Sequence, residues 1–153
     1  MIQLSDDPTP EERQAVLDAI VAFNDAATGA KAETQAFSAL VKDEEGRTLG
    51  GAIGYSRHGW LYIELLHLPE AMRGQGTGTR IMEAAEAEAR RRGLLGIHLD
   101  TFSFQAPGFY ERLGFARMGT LRDHPPGHAI HWYAKRFDAG PPSGEAKHHS
   151  GDA

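Results

Sequence analysis

Arg73-Gly74-Gln75-Gly76-Thr77-Gly78 sets glycine at alternate positions behind an arginine, between an apolar strand-like run and a strongly helical segment. A glycine-rich turn that ends a strand and opens a helix presents bare backbone N–H groups at the positive end of the helix dipole. That arrangement suits a phosphate or pyrophosphate. Spacing tests two familiar versions. A Walker A loop needs a lysine after its second glycine, and none is present here. A dinucleotide fingerprint needs a third glycine where Thr79 stands. The pattern left is Arg-x-x-Gly-x-Gly.

The flanking elements follow from hydrophobic periodicity and turn chemistry. Thr9-Pro10-Glu11-Glu12 reads as a capping box with proline at the first helical position, and Val16, Leu17, Ile20, Val21 and Phe23 continue it as a helix to about Thr28-Gly29. Strands are expected over Phe37 to Lys42 and Arg47 to Ser56, joined by a hairpin at Asp43-Glu44-Glu45-Gly46. Gly50, Gly51 and Gly54 point to a bulge or a close backbone approach in the second strand. The most apolar strand is Trp60 to Leu68. After the glycine loop, a helix from Gly76 to Arg92 carries an apolar stripe of Ile81, Met82, Ala85 and Ala89 and stops at Gly93. Arg90-Arg91-Arg92 reads as a solvated, dipole-favoured helix end. Strands at Leu94 to Thr101, Phe115 to Leu121 and His128 to Phe137, with a short helix at Gln105 to Leu113, complete the order. The fold class expected is α/β: a three-layer sandwich with a mixed sheet and flanking helices.

At 153 residues the chain suits a single domain, assigned to residues 1–137, with a disordered tail over 138–153 that is too polar to offset its ordering entropy. Apolar content of 41% and charged content of 24% are ordinary for a globular protein. A net charge of −5 argues against a nucleic-acid partner. No cysteine is present, which excludes disulfides, thiolate metal ligands and a thiol nucleophile. With neither a signal-like start nor a membrane-length apolar run, a cytoplasmic location is expected. Of the eight histidines, His124, His128 and His131 cluster in sequence and His148-His149 fall in the tail. Their spacing matches no short zinc motif, so no metal is expected.

Arg73-x-x-Gly76-x-Gly78, placed after a strand and opening a helix, resembles the coenzyme-A loop of the GNAT N-acetyltransferase superfamily. Ala106-Pro107-Gly108-Phe109-Tyr110-Glu111-Arg112-Leu113-Gly114-Phe115 is similar to the family's later block of alanine, tyrosine and Leu-Gly-Phe, and a final strand pair follows. The resemblance covers roughly Phe37 to Phe137, with a compatible first helix. Leu99-Asp100-Thr101-Phe102-Ser103-Phe104-Gln105-Ala106, with Pro125-Pro126-Gly127-His128 later, resembles a bacterial subgroup of the family.

The resemblance implies a mostly antiparallel GNAT-like sheet and an acetyl-CoA-dependent N-acetyltransferase acting on a primary amine, in all expectation a small molecule, by direct attack in a ternary complex. A non-catalytic CoA-binding sensor or interaction module is the alternative. Arg73, Gly74, Gln75, Gly76, Thr77 and Gly78 would hold the CoA pyrophosphate. The backbone of Leu66, His67 and Leu68 would pair with the pantetheine arm, with an N–H near Leu68 as oxyanion donor. Tyr110 would stand at the CoA sulfur as general acid. Ser103 occupies the position of a CoA-contacting asparagine in many relatives; its hydroxyl could substitute, and Gln105 could take over that contact, reach the acceptor, or only cap the helix. Glu64, a carboxylate inside an apolar strand, is a candidate base or acceptor ligand. By simple alternation it shares a face with Tyr62 and Leu66. His67 is the second candidate base, although alternation groups it with the packed face of Leu61, Ile63 and Leu65. Attack without either, or through water, stays open. His124 and His128 are placed at the rim of the acceptor mouth. Family members are often homodimers, and nothing in the chain fixes an interface.

Overall fold

Thr9 starts the first helix as its neighbours dictate. Its hydroxyl accepts from the Glu12 N–H at 3.1 Å, and the Glu12 carboxylate accepts from the Thr9 N–H at 2.8 Å. This reciprocal box opens α1, Pro10–Thr28, which ends at Gly29 in the left-handed region. The computed structural model describes residues 1–138; the expected disordered tail lies, from Ala139 onward, outside the described residues, and so do His148 and His149. The described chain falls into two units divided between Glu33 and Thr34. In the first, α1 has the predicted helical spacing, yet none of its residues is buried.

The second unit holds the sheet. Its strands are β1 (Gln35–Lys42), β2 (Thr48–Arg57), β3 (Trp60–His67), β4 (Gly96–Phe102), β5 (Ala116–Arg122) and β6 (Ala129–Arg136). Two helices connect them: α2, Thr77–Arg91, between β3 and β4, and α3, Pro107–Arg112, between β4 and β5. The spatial order is β1-β2-β3-β4-β6-β5. Only β3 and β4 pair in parallel; every other neighbour is antiparallel. A parallel pair needs a crossover, and α2 supplies it. The result is the mixed, mostly antiparallel sheet with flanking helices that the sequence leads one to expect.

One face of the sheet forms the core. Leu61, Ile63, Ile97, Leu99 and Tyr133 meet Ile81, Met82, Ala85 and Ala89 of α2, all buried. Burying a side chain such as Leu61 completely is worth about 1.5–3 kcal/mol. Alanine at positions 85 and 89 brings the helix close to the strands.

The register between β2 and β3 slips once. Ile53 pairs with Leu65 and Gly54 with Ile63, which leaves Glu64 as an extra residue on β3. A bulge turns every later side chain to the opposite face. Simple alternation therefore fails beyond Ile63. Leu66 packs against the core rather than sharing a face with Tyr62, while His67, grouped by alternation with the packed side, is exposed. Gly54 is required at this point because a Cβ there would lie 1.9 Å from the Tyr62 carbonyl oxygen.

The arginine run at the end of α2 is also less solvated than its composition suggests. Arg91 is exposed and pairs with Glu88, and Arg90 lies 4.2 Å over the Phe137 ring. The Arg92 side chain is only 10% exposed. It donates to Ser56 Oγ at 3.1 Å and to the carbonyls of Gln35 and Ala36 at 3.2 and 2.9 Å. This arginine ties the helix end to β1 and β2, a tertiary role that a charge run alone does not reveal.

Candidate active site

The β3–β4 ladder runs from Trp60↔Gly96 to Ile63↔Leu99 and ends there, although β3 continues to His67 and β4 to Phe102. Beyond the last pair the strands part around a cleft of about 1030 Å³. The bulge at Glu64 marks the point of departure on β3. Gly76, Thr77, Gly78 and Thr79 from the start of α2, and Phe109 and Tyr110 from α3, also line this cleft. The glycine loop, the strand end and the predicted tyrosine, far apart in sequence, share one space.

At one end of the cleft α2 begins without a side-chain cap. Gly76, at φ 78°, takes the left-handed conformation that lets the chain turn into the helix, and a Cβ built on it would meet nothing within 4 Å. The Gly76 carbonyl accepts the first helical bond from Arg80, so the N–H groups of Thr77, Gly78 and Thr79 precede the internal ladder. No acidic residue occupies the first turn. Uncompensated donors, a positive dipole end and open space fit the phosphates of a CoA-type ligand. Gly78 also lets Phe109 approach, since a Cβ would sit 3.3 Å from its ring. Arg73 lines the cleft and donates from Nε to the Leu68 carbonyl at 3.0 Å. Gln75 points elsewhere, its Nε2 donating to the Ala71 carbonyl at 3.0 Å, which leaves its backbone as its contribution to the loop.

At the junction of the strands lies Tyr110, 7% exposed. Its ring is walled by Phe109, Phe115 and Tyr133. Burial, with the negative charge of Asp100 added, pushes its hydroxyl up to about 12, so it is a proton-bearing donor at neutral pH. Glu64, Leu66, His67 and Leu68 line the same cleft. Tyr62 donates to Asp100 Oδ2 at 2.7 Å. Burial, then that hydrogen bond, holds the Tyr62 hydroxyl far above its ordinary range, and the charge of Glu64 contributes.

The remaining predicted residues are placed differently. Gln105 lines the cleft, but its Oε1 accepts from the Phe102 N–H at 2.8 Å and the Thr101 hydroxyl at 3.0 Å, bracing the turn ahead of α3. Ser103 is outside the cleft lining; its hydroxyl accepts from the Ala129 N–H at 3.0 Å and its own N–H donates to the Ala129 carbonyl. The hydroxyl is thus engaged in joining the β4–α3 loop to β6. His124 and His128 flank the cleft's aromatic wall: His124 stacks on Phe102 and His128 meets Phe104 edge-on. His131 is buried and shares a 2.8 Å hydrogen bond with Thr120. Among the described residues no group of three or more histidine, cysteine or acidic side chains could hold a metal.

Asp100, Phe102 and Phe104 were given no role from sequence. A signal did exist for Asp100. It is a charge between apolar strand residues, as Glu64 is, but only the register shows that both follow the last β3–β4 pair.

The sheet thus opens between its two parallel strands, and the uncapped start of α2 and the Tyr110 ring both line that opening. The sequence profile described as the acetyltransferase (GNAT) family matches residues 1–115. An acetyltransferase of Agrobacterium fabrum is 39% identical over 134 residues, covering 88% of this chain and 97% of that protein. Blasticidin-S acetyltransferase of Streptomyces morookaense is 39% identical over 95 residues, 61% of this chain and 70% of that protein. A crystal structure of an acetyltransferase from Agrobacterium tumefaciens superposes with a TM-score of 0.82 at 38% identity, over 90% of this chain and 99% of that one. The chain belongs to the acetyltransferase (GNAT) family and is an N-acetyltransferase. No helix among the described residues is long and apolar enough to cross a membrane.

Proposed function

We propose that this enzyme transfers an acetyl group from acetyl-CoA to a primary amine of a small molecule, by direct attack while both substrates are bound. The observation that carries the reading is the single cleft in which the uncapped start of α2, the parted ends of β3 and β4, and Tyr110 meet. Acetyl-CoA supplies a thioester carbonyl open to attack by an amine. The N–H groups at the start of α2 and the Arg73 side chain hold its phosphates, while the backbone of Leu66 to Leu68 aligns the arm leading to the junction. A backbone N–H near Leu68 stabilises charge developing on the carbonyl oxygen. The Tyr110 hydroxyl gives a proton to the departing sulfur. Glu64, exposed on the bulge, takes the proton released by the amine directly or through water. His67, turned outward by the same bulge, is the second group able to do so.

The small-molecule reading is supported by the relative named for blasticidin S. The test is CoA release from acetyl-CoA across a panel of primary amines that includes blasticidin S, agmatine, butylamine and lysine peptides. Turnover with small amines and not with peptides is expected. Turnover confined to peptides would overturn the substrate class, and CoA binding with no turnover at all would overturn the reaction.

A further inference from the structure

Asp100 has no role in the steps above, and its surroundings suggest one. It is the first residue of β4 beyond the last pair with β3, and it lines the cleft. Alternation sets it on the Tyr62–His98 face, with Leu99 buried on the other. The Tyr62 hydroxyl pins Oδ2 at 2.7 Å. Among the described residues no lysine, arginine or histidine forms an ion pair with it. The nearest basic side chain on its face is His98, which stacks on Tyr62 and feels the Asp100 charge without pairing with it. One tyrosine proton leaves most of the carboxylate's acceptor capacity free.

The next side chain on the same face is Phe102. Its ring stacks on Phe104 at 5.1 Å with planes 6° apart, and both line the cleft beside Asp100. His124 already stacks on Phe102 and His128 meets Phe104 edge-on, so a ligand beside Asp100 meets the part of this aromatic cluster that lines the cleft. A planar cation there can lie against a ring and donate in-plane hydrogen bonds to the carboxylate oxygens.

We propose that Asp100, held by Tyr62, is the specificity-determining residue of the acceptor site, and that with Phe102 and Phe104 it receives a planar cationic group, a guanidinium or amidinium, borne by the substrate at a distance from the amine that is acetylated. The proposal rests on the amine-acetylating reading above. It names the acceptor class as a primary amine carrying a second, delocalised positive charge.

Agmatine and butylamine test it, since both present a primary amine on a four-carbon chain and only agmatine bears a guanidinium. The wild type should favour agmatine over butylamine in kcat/KM by roughly ten- to a hundredfold. In Asp100→Asn, which can still accept the Tyr62 hydrogen bond, that ratio should fall toward one. A merely structural role for Asp100 would alter stability or overall rate and leave the ratio unchanged. If Asp100→Asn does not fold, Tyr62→Phe, which frees the carboxylate, should lower the same ratio. A wild type without agmatine preference, or a preference that survives in the variants, overturns the proposal alone. A wild type that acetylates no amine overturns it together with the reaction.

Discussion

Arg73 Nε donates to the Leu68 carbonyl at 3.0 Å, so the side chain assigned to phosphate binding also fixes the strand end assigned to the transferred group. The glycine loop and the end of β3 are joined by one charge-assisted hydrogen bond.

Replacing Arg73 with alanine should therefore weaken CoA by roughly ten- to a hundredfold, the range expected for a hydrogen bond to a charged partner worth about 1.5–3 kcal/mol. Calorimetric titration with CoA checks this. Unchanged affinity would remove Arg73 from the phosphate site and leave it as a brace for Leu68.

Gly76→Val sets a β-branched residue at φ 78° and puts side-chain atoms into space that a Cβ would find empty within 4 Å. The backbone strain should cost about 1–3 kcal/mol, and the stabilisation by acetyl-CoA should vanish. Thermal melting with and without acetyl-CoA separates these effects. A lower Tm that still rises normally with ligand would show that the phosphates lie elsewhere.

For Tyr110→Phe, turnover should fall by roughly a hundred- to ten-thousandfold while CoA affinity stays near that of the wild type. Steady-state rates beside calorimetric Kd values make the comparison. Equal rates in the two proteins would assign Tyr110 to packing with Phe109, Phe115 and Tyr133.

Tyr110 also makes stability depend on pH. Its hydroxyl rises from the ordinary 10.0 to about 12 on folding, chiefly through burial, so between those values the native state retains a proton that the unfolded state has lost. The resulting stabilisation, on the order of 2–3 kcal/mol, is fully present below pH 10 and is lost as pH climbs to about 12. Urea titrations at successive pH values should show a shallower alkaline decline in Tyr110→Phe than in the wild type. Parallel declines would contradict the burial argument.

Local sequence determined much of this protein. The capping box at Thr9 and Glu12, the left-handed stop at Gly29, the stripe of α2 and the order of strands all depend on residues a few positions apart, and hydrophobic period and turn chemistry report such neighbours directly. The glycine turn that opens α2 was legible for the same reason: its glycines, arginine and helix start are contiguous. Tertiary structure decided which way the side chains beyond Ile63 point. The bulge at Glu64 exists only in the pairing of β2 with β3, and it turns His67 outward and Leu66 into the core. Tertiary structure also engaged Ser103 with Ala129 and clamped Arg92 to β1, whereas Gln105 turned back on Phe102 through a local bond across three residues. Asp100 acquired meaning only when the β3–β4 ladder ended one residue before it and brought it within reach of Tyr62, thirty-eight positions earlier in the chain. Periodicity describes one strand at a time, whereas register, and with it the chemistry of the cleft, belongs to pairs of strands.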